Sequence, residues 1–235
     1  MAEDDRPVAV VTGANRGIGR EVVRALTASG YLVVLGSRDA ARGEAAAAEL
    51  GGAPAGVVAC ALDVADEASV RAAAAWVGDS LGRCDALVNN AAIDYDTDAR
   101  ASTADLARVH RAMETNLFGA WRTALAFLPL LRESPHPRIV NVSSGSGSLA
   151  DMGRGTPAYS VSKAALNALT RILAAELRSE RVLVNAVCPG WVATDMGGAG
   201  GRPVADGAAS VTWAVLLGDD GPTGGFFRDG RPVAW

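Results

Sequence analysis

Short runs of apolar residues recur along the chain at 8–11, 32–35, 57–62, 86–88, 138–142 and 182–187, each the length of a strand. Between them, over 18–29, 40–50, 68–81, 106–131 and 158–180, apolar positions fall at intervals of three and four, the spacing of amphipathic helices. The strand-sized runs do not alternate with polar residues. A strand that is apolar on both sides must be covered on both faces, so the pattern predicts a parallel sheet sandwiched by helices. Strand and helix alternate with no linker and no internal repeat. The expectation is one α/β domain over residues 1–235, doubly wound, with a mostly parallel sheet of about seven strands. The glycine-rich stretch 197–201 predicts a flexible patch within a short substrate loop near 193–208.

Composition narrows the function. The chain is 49% hydrophobic and carries a formal charge of −4, from 22 Lys plus Arg against 26 Asp plus Glu. With no basic block it has no electrostatic footprint for nucleic acid or an anionic membrane. Cys60, Cys84 and Cys188 are odd in number and far apart, which reads as reduced, mostly buried thiols and not as a disulfide framework. Together with only His110 and His136, they leave too few soft ligands for zinc, and no metal is expected. The acidic start MAEDDRP is unlike a secretory signal, and the longest apolar helical stretch, 117–131, is interrupted by Arg122. A soluble, cytoplasmic protein is expected.

The first candidate chemistry follows the first strand directly. Thr12-Gly13-Ala14-Asn15-Arg16-Gly17-Ile18-Gly19 is a glycine turn that runs at once into a helical pattern. Glycines there let the backbone approach a pyrophosphate, whose charge meets the free N–H groups of the helix end. Taken alone, such a turn also serves as a plain tight βα connection.

Two further motifs come in order: Asn89-Asn90-Ala91-Ala92 after the fourth strand and Tyr159-Ser160-Val161-Ser162-Lys163 at the start of the last long helix. With the TGxxxGxG turn, they make the chain resemble the short-chain dehydrogenase/reductase family over nearly its whole length. The run from Asn185 to Met196 and the ending from Gly224 to Trp235 resemble its carbonyl reductase branch in particular. The resemblance implies a Rossmann fold and a nicotinamide cofactor. It lacks two features of some relatives: the second glycine of the asparagine motif is Ala92, and the long insertion that some monomeric carbonyl reductases carry before the tyrosine is missing.

Reducing a carbonyl by hydride requires a proton donor at the oxygen. Tyr159 and Lys163, four residues apart, share one helix face, and a neighbouring ammonium favours ionisation of a phenol that titrates near ~10. In isolation the pair is more often an ordinary surface Tyr/Lys pair on an amphipathic helix. Asn141-Val142-Ser143-Ser144 ends a strand, where open parallel sheets place ligands. The resemblance implies that Ser144 binds the substrate carbonyl, with Ser143 turned away. It also implies that Asn116 holds a water in a proton relay through Lys163 to Tyr159.

The cofactor reading turns on the end of the second strand, where an acidic residue would bind the ribose hydroxyls and repel a 2′-phosphate. Here stand Ser37 and Arg38, with Arg16 in the glycine loop, and Asp39 reads as the cap of the next helix. Neutral plus cationic residues predict NADP(H). The resemblance adds Asp63 and Val64 at the adenine, and Asn89, Asn90, Ala91, Pro189, Gly190, Val192 and Thr194 along the dinucleotide, besides Gly13, Asn15, Gly17, Ile18 and Gly19 of the loop. Ile93, Tyr95, Met152, Trp191 and Met196 are the expected substrate walls, suited to a ketone, aldehyde or quinone. The leading reading is NADPH-dependent reduction of such a carbonyl. An NAD-dependent secondary-alcohol dehydrogenase and a non-catalytic dinucleotide sensor are the alternatives. A homodimer or homotetramer is expected from the resemblance of 106–131 and 158–180 to helices that pair between subunits.

Overall fold

The computed structural model describes residues 5–235; residues 1–4, part of the acidic start, lie outside them. The chain runs β1 (Val8–Val11), α1 (Gly17–Ala28), β2 (Leu32–Ser37), α2 (Ala40–Glu49), β3 (Val57–Ala61), α3 (Glu67–Leu81) and β4 (Ala86–Asn89). It continues through α4 (Leu106–Met113), α5 (Ala120–Arg132), β5 (Arg138–Val142), α6 (Pro157–Glu176), β6 (Leu183–Val187), α7 (Val204–Val215), β7 (Phe226–Arg228) and β8 (Arg231–Pro232). The sheet order is β3-β2-β1-β4-β5-β6-β7-β8, parallel up to β7, with β8 folding back antiparallel. The eighth strand, beyond the seven expected, is this two-residue return.

Coverage of both faces explains the unbroken apolar runs. In β1, Val8 and Val10 belong to the core packed by α3, α5 and α6, whereas Ala9 and Val11 belong to the one packed by α1, α2 and α7. Winding reverses at β1, which has β2 on one side and β4 on the other. The connections therefore diverge beyond the carboxyl ends of these strands and leave the crevice in which doubly wound sheets bind ligands.

Two expectations are corrected. The stretch 106–131 is not one helix: a π-helical segment, Glu114–Gly119, separates α4 from α5. The loop expected near 193–208 ends earlier, because α7 begins at Val204. Small residues and the lack of a side-chain cap make that helix start hard to read in the sequence. Among the described residues no helix is long and apolar enough to cross a membrane.

Candidate active site

The glycine turn is shaped by contacts that a side chain would destroy. Gly13 has φ 61°, and a Cβ there would lie 2.9 Å from the Ala91 Cα. At Gly19, a Cβ would meet the carbonyl oxygen of Gly13 at the same distance, besides the Asn90 amide. Asn90 explains the closeness: its Nδ2 donates to the carbonyls of Thr12 (2.8 Å) and Gly13 (3.1 Å), while the Thr12 hydroxyl accepts the N–H groups of Asn90 and Ala91. The start of α1 is left open. Asp39, Asp66 and Asp105 cap α2, α3 and α4, but no side chain caps α1 among the described residues and its first turn carries no acid. An uncapped helix end with free N–H groups is a site for an anion.

This turn floors a cleft of about 510 Å³ that runs past Ser37, Arg38, Asp63 and Val64 to Tyr159 and Lys163. Asn15, Arg16, Gly17, Ile18, Asn90, Ala91, Pro189 and Thr194 line it too. At the end of β2 the buried Ser37 hydroxyl donates to the Asp39 carbonyl at 2.8 Å. Asp39 caps α2 as expected, accepting the Arg42 N–H at 3.1 Å. Arg42 is a cleft residue that sequence reasoning missed; its one signal was lying one helical turn beyond Arg38. Arg16 is not a lone cation, since its guanidinium meets the Asp195 carboxylate at 2.6 Å, across the cleft mouth from the glycine loop to the segment after β6.

The catalytic candidates converge at the other end. Tyr159 opens α6 and is buried, and burial pushes its phenol well above the usual range, opposed by a hydrogen bond from the Ser144 side chain. The Tyr95 ring meets the Tyr159 ring edge-on, with centroids 5.2 Å apart. Lys163 lies one turn along α6, its ammonium donating to the Val142 carbonyl at 2.7 Å and sitting 5.5 Å from the Tyr159 ring centre. Burial lowers its pKa to about 8. Ser143 donates to Asn167 at 2.6 Å and so points its hydroxyl into the protein, as expected, leaving Ser144 for the site.

Asn116 does not line the cleft. It sits in the π-helical segment, a distortion frequent at functional sites. Its Oδ1 accepts the Ile93 N–H at 2.8 Å, and its amide donates to the Ile93 carbonyl and the Ser162 hydroxyl. The side chain thereby ties the loop after β4 to the residue preceding Lys163. Asn89 faces the interior, where its amide joins Asn141 and Thr123 beneath the site, so it is not a dinucleotide contact. Asp96 was missed altogether. Its buried carboxylate accepts the N–H groups of Ala158 (2.9 Å) and Tyr159 (3.1 Å), capping α6 from a loop far away in sequence. Only the fold brings that cap to its helix, and the sequence carried no sign of it.

A second chamber of about 220 Å³ adjoins the cleft. Tyr95, Ser144, Tyr159, Trp191 and Met196 line it, and so do Gly190 and Val192, which were expected along the dinucleotide but stand here and not in the first cleft. Ile93 lines the cleft, and Met152 lines neither space.

A family model described as short chain dehydrogenase matches residues 7–202. The chain belongs to the short-chain dehydrogenase family. It is 38% identical to (+)-neomenthol dehydrogenase of Arabidopsis thaliana, covering 97% of both chains, and 36% identical to carbonyl reductase [NADPH] 1 of Bos taurus, covering 97% of this chain and 98% of that one. The NADPH-bound carbonyl reductase from chicken fatty liver superposes with a TM-score of 0.89 at 32% identity, over 98% of this chain and 95% of that one. The first alignment spans 290 positions against the 235 residues of this chain, so that short-chain dehydrogenase carries inserted segments lacking here.

Proposed function

We propose that the protein is an NADPH-dependent carbonyl reductase that converts a ketone, aldehyde or quinone to the alcohol, with Tyr159 as proton donor. The observation that carries this reading is the convergence of Ser144 and Tyr159 on one chamber, with Lys163 buried behind them and the cleft opening beside them. The cleft residues fit a dinucleotide phosphate. Gly13, Asn15, Gly17, Ile18 and Gly19, at the open start of α1, would hold the pyrophosphate, and Arg38 and Arg42 with Arg16 the adenosine phosphate. Asp63 and Val64 would flank the adenine, and Pro189 and Thr194 the nicotinamide. A nicotinamide held there would supply the reducing equivalent, two electrons with one hydrogen nucleus, for the carbonyl carbon.

The chain's own groups manage the oxygen. The Ser144 hydroxyl donates to it and Tyr159 delivers the proton, which completes the alcohol. Burial raises the phenol's pKa, against the lowering expected from a neighbouring ammonium, so Tyr159 stays protonated across the neutral range and has its proton in place for the oxygen. Lys163, with a pKa lowered to about 8 and its ammonium 5.5 Å from the Tyr159 ring centre, exchanges protons readily near neutral pH and is the nearby source from which Tyr159 would be reprotonated. Asn116 and Asp96 fix the two ends of that pair. The names of the bovine and chicken relatives support the cofactor and the reaction class. The test follows NADPH oxidation with a panel of ketones, aldehydes and quinones. At least one should be turned over by the wild type and none by Tyr159→Phe; a panel without turnover overturns the reading.

We also infer that the protein associates as a homodimer or homotetramer. Phe118, Trp121 and Leu125 form an exposed apolar stripe leading into and along α5, and Val161 and Ile172 another on α6. Light scattering should give a multiple of the 24.0 kDa chain mass. A single-chain mass at micromolar concentration overturns it.

A further inference from the structure

We propose that Arg228 sets the substrate class of the chamber, selecting carbonyl compounds that also carry a carboxylate. This rests on the reductase reading and names its substrate more narrowly. Among the described residues, Arg228 is the only formally charged one that lines the chamber, alongside Ser144, Tyr95, Tyr159, Trp191 and Met196. Its position is fixed at both ends. The preceding Phe226 and Phe227 of β7 are buried, and its Nη2 donates to the Cys188 Sγ at 3.0 Å. The same sulfur accepts the N–H of Gly145 at 3.1 Å, so the guanidinium stands beside the residue that follows Ser144.

The cation lacks a counter-charge. Among the described residues Arg228 makes no ion pair, whereas the adjacent Asp229 is taken by Arg202 at 2.9 Å. A thiol is a weak acceptor, so one contact to Cys188 leaves most of the five guanidinium donors unused. Directly across the β7–β8 hairpin stands Arg231, also outside any ion pair among the described residues. Residues directly opposed in an antiparallel pair share a face, and like charges placed so are destabilising. An unneutralised guanidinium in the wall of the chamber, with a second paired to it in register on the hairpin, favours an anionic ligand there even in a chain of net charge −4. The planar fork suits a carboxylate, which it can hold by two parallel hydrogen bonds.

The rest of the chamber sets the remainder of the ligand. With the carbonyl oxygen on Ser144 and Tyr159, the carboxylate on Arg228 lies close to the reacting carbon, and the exposed faces of Trp191 and Met196 offer an apolar wall for the substituent. The class is therefore a keto acid with a short spacer and an alkyl or aryl body.

The experiment compares benzoylformate and levulinate, each with its methyl ester, in the wild type and in Arg228→Gln and Arg228→Lys. The measured quantity is the acid-to-ester ratio of kcat/KM, which cancels the intrinsic reactivity of the two carbonyls between variants. Arg228→Gln should lower that ratio by roughly tenfold or more for at least one pair, as expected for a hydrogen bond to a charged group, with Arg228→Lys in between. A ratio within twofold of the wild type in Arg228→Gln overturns the proposal. Calorimetric titration of benzoylformate into the NADP⁺-loaded protein needs no turnover. Binding weakened tenfold by Arg228→Gln supports the anchor, and equal binding, or none to the wild type, overturns it. If the esters are reduced but the ratio does not move, Arg228 has failed and the reductase reading stands. If benzoylformate binds through Arg228 and no carbonyl is turned over, the reverse holds.

Discussion

The cofactor cleft and the substrate chamber share six lining residues, Tyr159 and Thr194 among them, yet they are built in different ways. The floor of the cleft is main chain: a turn of eight consecutive residues, drawn tight by Thr12 and Asn90 and ending on an uncapped helix. The chamber is made of side chains that arrive from the loop after β4, the end of β5, the start of α6, the segment after β6 and β7. A backbone site needs few residue identities but demands small ones in a fixed order. A side-chain site tolerates any order that the fold can gather. The cleft is accordingly a general device for a phosphate-bearing ligand, and the chamber is where this chain becomes particular.

The largest expected effect separates the two regions at Tyr159, which lines both. Tyr159→Phe removes one hydroxyl and no main-chain donor. It should lower kcat/KM by about 10²–10⁴-fold, the usual contribution of a positioned general acid, while fluorescence titration shows NADPH binding little changed. A loss of NADPH affinity as large as the loss of rate would mean that cleft and chamber are not separable in this way.

The same contrast governs what could be read from the chain. Gly13, Gly17 and Gly19 are legible because a pyrophosphate turn is local, and Tyr159 and Lys163 because helical spacing puts them on one face. The parallel sheet was legible from runs such as Val8–Val11, whose two faces enter two different cores. Asp96, Arg42 and Arg228 were not. Asp96 caps a helix 62 residues away, and Arg228 reaches Cys188 only because β7 lies beside β6. The break between α4 and α5 was hidden too, since a π-helical segment keeps nearly the same apolar rhythm as the helices it joins. What the sequence concealed was long-range side-chain pairing.

A smaller effect sharpens the comparison within the cleft, at its one side-chain-dependent corner. Arg38→Ala combined with Ser37→Asp should move preference from NADPH towards NADH by roughly tenfold to a hundredfold in kcat/KM. A charge-assisted hydrogen bond to the 2′-phosphate contributes ~1.5–3 kcal/mol, and the new carboxylate adds repulsion. Arg42, paired with Asp39 at 3.4 Å, remains to hold part of the phosphate, which sets the effect towards the lower end. An unchanged cofactor ratio would mean that Arg42 and Arg16 carry the selection and that even this corner does not depend on Arg38.

The smallest effect concerns stability, and it has the opposite sign from the effect on rate. Lys163 is almost wholly buried, and its pKa falls from 10.5 to about 8, so the folded protein at pH 7 carries an ammonium that it would hold more easily unfolded. That displacement corresponds to a cost on the order of 3 kcal/mol. Lys163→Met removes the cost but leaves the Val142 carbonyl without its donor, a loss of about 1–3 kcal/mol. A net gain of about 1 kcal/mol at pH 7 is expected without cofactor, together with loss of turnover. The pH dependence identifies the cause. Between about pH 8 and 10.5 the unfolded lysine keeps its proton while the folded one has released it, so the unfolded state binds more protons and wild-type stability rises with pH. The variant has no such rise, so its advantage in urea unfolding should be greatest near pH 7 and should reverse by pH 10, where the wild type has shed most of the cost and the variant still lacks the Val142 donor. A Lys163→Met protein that is less stable than wild type by the same amount at both pH values would show that the buried ammonium carries no cost. The catalytic end of the molecule would then be no more strained than the glycine turn.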